Sequence, residues 1–176
     1  MIALGIDPGD KTGAGALLDL SHRPARFIAG IAWRTRSLRD GEVTDVWSSI
    51  HGVGEAFAPI SLWVKELCRI AERPACAVEG VRFQGMGKGD PVPRATQAGR
   101  IAGWVEAYTD EIVERPFAQT WRKQVFGLSN KLTAPEADAA IRRLLPTLVT
   151  LPDGIPPWAM KHLPDACGVA LSLRTA

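Results

Sequence analysis

A mixed α/β sheet flanked by helices is the fold class the sequence predicts, and three observations predict it. Three strand-like segments come first, IALGI, GAGALLDL and RFIAGIAW, joined by the short turn-rich links PGDKT and SHRP. Links that short favour antiparallel neighbours, because a parallel return needs a crossover. The pattern then changes to helix, strand, helix, strand and further helices, an order that adds parallel pairing to the same sheet.

The first helix is expected from about Glu55 to Arg73. Phe57, Ile60, Leu62, Trp63, Leu67 and Ile70 mark one face at helical spacing, and Arg73-Pro74 ends it. The apolar run ACAVEG follows and closes on Glu79. A glycine-rich segment, QGMGKGD, leads into a helix near PRATQAGRIAGWVEAYTD, whose Ala98, Ala102 and Gly103 would allow close packing. EIVERPF reads as a short strand and QTWRKQVFG as a short helix or turn. TAPEADAAIRRLLP reads as a helix with Thr133 as N-cap and Glu136 at the capping-box spacing. After the proline-rich LPDGIPP, the last helix starts around Leu163 and Pro164 and runs through DACGVALSL. With no internal repeat and no linker, residues 1–176 are expected to form a single domain.

Composition narrows the class. Hydrophobic residues make up 46% and charged residues 23%, the profile of a globular chain with a substantial core. No apolar run is long enough to span a bilayer and the start has no signal-peptide pattern, so a cytoplasmic protein without a membrane partner is expected. Cys68, Cys76 and Cys167 have no metal-ligand spacing and read as reduced, buried thiols. The formal net charge of +2 is uninformative, but its distribution is not. HRPARFIAGIAWRTRSLR carries five arginines and no acid, and RPFAQTWRKQVFGLSNK carries Arg115, Arg122, Lys123 and Lys131, again with no acid. Such stretches suit an anionic partner, or else are solvated faces balanced by nearby acids.

The candidate chemistry lies in carboxylates at element ends. Asp7 closes the apolar strand IALGI, where an unpaired charge is costly to desolvate, and Pro8, Gly9, Gly13 and Gly15 follow it. Glu79 closes ACAV in the same way. If those strands are parallel neighbours, both acids land at the carboxyl edge of the sheet, where ligands bind in open α/β sheets. In KHLPDACGVAL, Asp165 falls in a first helical turn with His162 three residues before it, so the two share a face. Each has a bland alternative: a turn-forming Asp before Pro-Gly, a strand-end acid facing water, a dipole-complementing acid, a surface histidine. Together they form a hard-cation donor set. Mg²⁺ is held by one or two carboxylates plus phosphate and water. A pair of ions about 4 Å apart can activate water and stabilise the leaving oxygen in phosphodiester hydrolysis.

GIDPGDKTG, AVEGV and HLPDACGVAL, in that order and at these separations, resemble the RuvC-type Holliday junction resolvases of the RNase H-like superfamily. The resemblance runs from Ile2 to about Leu173. It implies an RNase H-like fold with a mixed five-stranded sheet, a homodimer, and nicking of four-way and other branched DNA with two Mg²⁺ ions per site. Asp7, Glu79 and Asp165 match the family's catalytic, metal-binding carboxylates, and His162 its fourth position. An imidazole there makes Mn²⁺ an expected substitute. The helix PRATQAGRIAGWVEAY resembles the one that helps form the family's dimer interface. Lys123 and Lys131 match its DNA-contacting lysines, and Arg122 and Lys88 are further candidate contacts. The family's aromatic wedge position is Arg82 here, with Phe83 next to it. On this reading Asp7 ends a buried strand because it presents an oxygen to a metal.

Three other readings compete. The first motif also resembles the phosphate loop of the sugar kinase, actin and heat-shock chaperone superfamily, but this chain is too short for the two domains those proteins need. A YqgF-type RNA-processing nuclease shares the superfamily. A silent nucleic-acid-binding module would have no need of all four candidate ligands.

Overall fold

The computed structural model describes residues 1–9, 11–35, 43–50, 52–54, 60–71, 73–81, 91–127, 134–145 and 155–174. Strands β1 (Ile2–Asp7), β2 (Thr12–Asp19), β3 (Arg26–Thr35), β4 (Val43–Ser48) and β5 (Gly52–Gly54) form an antiparallel run. Helix α1 (Ile60–Ile70) crosses over to β6 (Ala75–Val78), which lies parallel to β1, giving the order β5-β4-β3-β2-β1-β6. The mixed sheet is as the sequence implies, with six hydrogen-bonded strands rather than five. β4 and the three-residue β5 extend the antiparallel edge. EIVERPF does not add a full strand: Glu114 and Phe117 make isolated parallel bridges to Ala77 and Gly80. Pro116, between them, has no N–H to donate to a ladder.

The remaining helices are α2 (Pro91–Thr109), α3 (Ala118–Phe126), α4 (Ala134–Leu144), the short α5 (Pro157–Met160) and α6 (Leu163–Ser172). α1 ends at Ile70, short of the expected Arg73, while residues 55–59, its expected start, lie outside the described set, and so does Thr133, the expected cap of α4. The buried face of α1 is Ile60, Val64, Leu67 and Cys68, so Leu62 and Ile70 point outward, contrary to expectation. Ala98 and Ala102 of α2 are buried in the chain's own core, whereas Gly103 is exposed.

Strand alternation divides the core. Leu4, Ile6, Leu17 and Val78 pack on one face with α1 and α2. Ala3, Ala14, Ala16, Leu18 and Ala77 pack on the other with α6, against which α3 and α4 rest. β1 and α6 approach very closely at Gly5. A Cβ there would lie 2.3 Å from both the Ala166 carbonyl oxygen and the Ala170 nitrogen. This contact brings the start of α6 to the carboxyl end of β1.

Candidate active site

The register of the central strands sets the site. Ile6 pairs with Val78, and both turn toward α1 and α2. The next residues, Asp7 and Glu79, therefore turn to the opposite face beside one another, where α6 begins. The Glu79 backbone N–H donates to the Ile6 carbonyl at 2.8 Å, continuing the pairing one residue past β6. Both acids are buried, at 5% and 6% exposure. Asp165, in the first turn of α6, and His162, its N-cap residue, complete the group across the cleft. All four line one cavity of about 670 Å³.

Each side chain is oriented by partners. Asp7 Oδ1 accepts the Gly9 N–H at 3.1 Å in the turn after β1, where Gly9 takes a positive φ of 29°. His162 Nε2 lies 2.6 Å from the Thr12 hydroxyl, and its Nδ1 lies 3.7 Å from Asp7 Oδ2. Glu79 Oε2 accepts the indole N–H of Trp121 at 2.8 Å, and its Oε1 lies 3.4 Å from Arg94. Asp165 Oδ1 lies 3.4 Å from Arg122. Lys11 and Lys161 join Arg94 and Arg122 in the cavity lining, so cations surround an acidic floor.

The acids disturb one another. Burial, reinforced by the charge of Asp7 and less strongly of Asp165, pushes Glu79 up to about 7, with Trp121 and Arg94 opposing. Asp165 is also raised, by burial first and then by Asp7, against the pull of Arg122. Acids held this close, with cations only at the long end of contact distance, suit a divalent ion that would neutralise them. The donor set of three carboxylates and one imidazole fits a hard cation such as Mg²⁺ or Mn²⁺. As the side chains stand, no three His, Cys, Asp or Glu among the described residues converge tightly enough to hold one ion.

No protein-family model and no curated protein matches the sequence. Solved structures are similar in fold. A Thermus thermophilus RuvC structure matches with a TM-score of 0.65 at 18% identity, over 98% of this chain and 92% of that chain. T. thermophilus RuvC in complex with Holliday junction substrate matches with a TM-score of 0.68, also at 18% identity, over 99% and 93%. The chain has a RuvC-type fold.

Within this RuvC-type, RNase H-like arrangement the expected site residues separate into two groups. Asp7, Glu79, His162 and Asp165 come together although they are scattered through the sequence. Of the candidate DNA contacts, Arg122 lines the cavity and Lys123 is exposed on α3. Arg82, Phe83, Lys88 and Lys131 lie outside the described residues. The sequence reading did not single out Thr12, Arg94 or Trp121. For Arg94 a signal existed, a cation in the first turn of the helix that follows the second acid. Nothing local marks Trp121, whose partner is 42 residues away. Among the described residues no helix is long and apolar enough to cross a membrane.

Proposed function

We propose that the chain is a divalent-ion-dependent endonuclease that nicks four-way, and other branched, DNA junctions as a homodimer. The observation that carries this reading is the side-by-side placement of Asp7 and Glu79 on adjacent parallel strands, with Asp165 facing them in a cavity surrounded by cations. The RuvC-type fold supports it, and one of the matching structures is a RuvC bound to Holliday junction substrate.

The residues divide the work. Lys11, Arg94, Arg122 and Lys161 offer positive charge to a phosphodiester entering the cavity. Asp7, Glu79 and Asp165, with His162, would hold the metal, two ions in the full reading. Bound there, the metal supplies an activated water and charge stabilisation for the departing oxygen. Thr12 keeps the imidazole of His162 turned to the Asp7 side. Exposed Lys123 extends the basic surface along α3 toward flanking phosphates. Two nicks in strands of like polarity call for two sites related by a two-fold axis, which a homodimer provides. Exposed Gly103 on α2 would let a second helix approach closely.

One purified preparation, offered four-way DNA, linear duplex and structured RNA with Mg²⁺, tests the proposal. Paired nicks confined to the branched DNA are expected. Cleavage of the RNA alone would move the assignment to RNA processing, and binding without cleavage of any substrate would make the chain a binding module.

A further inference from the structure

Glu79 is held by a residue with no sequence signature. The indole of Trp121 is fully buried and directs its N–H at Oε2. Backbone contacts frame this hydrogen bond on two sides. Directly after Glu79, the Gly80 N–H donates to the Pro116 carbonyl at 2.9 Å, two residues before α3 begins. The helix that carries Trp121 therefore starts against the same backbone that carries Glu79. The other side of the ring rests on α6 at Gly168, where a Cβ would come within 2.3 Å of a ring carbon. The Arg122 guanidinium lies 5.1 Å over the indole and reaches Asp165 at 3.4 Å. Consecutive residues of α3 thus touch carboxylates from two different elements, one at the end of β6 and one in α6.

Resting on the metal-dependent nuclease reading, we propose that Trp121 is a positioning residue of the site: its indole N–H commits Oε2 of Glu79 and leaves Oε1, on the Arg94 side, for the cation. A buried tryptophan whose N–H merely needs an acceptor would leave Oε1 placement, and hence metal affinity, indifferent to its removal. Outer partners of metal ligands typically contribute 10- to 100-fold to affinity or activity.

Trp121→Phe keeps most of the ring and removes the donor. In the full-length protein it is expected to weaken Mn²⁺ binding, measured by calorimetry without DNA, by about tenfold. It is also expected to lower kcat for junction nicking by a similar factor while KM stays unchanged. In the Glu79→Gln background the same change is expected to have no further effect on Mn²⁺ binding. A folded Trp121→Phe protein with parental Mn²⁺ affinity and kcat overturns the positioning role and leaves the nuclease reading intact. A parent protein that neither binds Mn²⁺ nor nicks DNA overturns the nuclease reading itself, and the positioning role with it. Should Trp121→Phe fail to fold, the parent's indole N–H resonances decide. The one that moves on Glu79→Gln substitution is Trp121, and it is expected to shift when Mg²⁺ is added. Its immobility while other signals titrate would refute the role.

Discussion

Replacing Glu79 by glutamine is expected to make the metal-free protein more stable at pH 8 while abolishing the proposed cleavage. Glu79 moves from an ordinary value of 4.5 to about 7, because burial and the charges of Asp7 and Asp165 outweigh Trp121 and Arg94. The folded chain thus binds this proton more tightly than the unfolded chain does. The stability linked to it is complete below about pH 4.5 and is lost as pH rises toward 7. A displacement of that size corresponds to a penalty on the charged form of about 3 kcal/mol. The amide has no charge and its oxygen can still accept the Trp121 N–H, but its NH₂ faces Arg94 and recovers only part of the penalty. A net gain of about 1–2 kcal/mol at pH 8 corresponds to about 2–8 °C in Tm for a chain of this size. Thermal unfolding of both proteins from pH 4 to 8, in chelator, reads this directly. The gain is expected to shrink as pH falls below about 7 and to be gone or reversed by about pH 5, and Mg²⁺ is expected to stabilise the parent but not the variant. A variant less stable than the parent at pH 8, or a gain that does not change with pH, would refute the electrostatic argument.

Exposed Lys123 is expected to act through charge alone, so Lys123→Ala should weaken all junction sequences alike and flatten the slope of log affinity against log salt by about 1 unit; an unchanged slope would place it away from DNA. His162→Asp is expected to remain active with Mg²⁺, whereas His162→Ala should be much slower and partly rescued by high Mn²⁺; an inactive but folded His162→Asp protein that still binds junctions would remove the imidazole from the ligand set. Gly5→Ala forces a Cβ onto the α6 backbone and is expected to cost about 2–3 kcal/mol in thermal unfolding; a neutral substitution would show that the contact between β1 and α6 is loose.

What the sequence revealed and what it hid have separate physical causes. Asp7 and Glu79 stood out because each ends an apolar run, and their shared face follows from strand alternation once β1 and β6 are paired. Asp165 and His162 stood out through the proline-started helix that places them together. β4 was missed because VTDVWS buries Val43, Val46 and Trp47, a spacing that does not alternate. Leu62 is 52% exposed because at helical spacing it falls among Lys65, Glu66 and Arg69, off the apolar arc that the other residues of the expected face share. Ala98 and Ala102 read as a surface for a partner and turned out to serve the chain's own core, which small residues equally permit. Trp121 was hidden for another reason. Its partner, Glu79, is set by the tertiary packing of α3 against the end of β6 and against α6, and no local pattern encodes that distance.

Single-turnover nicking of a four-way DNA junction, titrated with Mg²⁺ for the parent and for Asp7→Asn, tests the central claim most directly. The parent is expected to cut two strands of like polarity only when the ion is present. Asp7→Asn should bind the junction in chelator at least as tightly as the parent, yet cut it orders of magnitude more slowly at every Mg²⁺ concentration. Near-parental cutting by Asp7→Asn, or cutting by the parent in chelator, would contradict the assignment of the carboxylate cluster as a metal-dependent nuclease site.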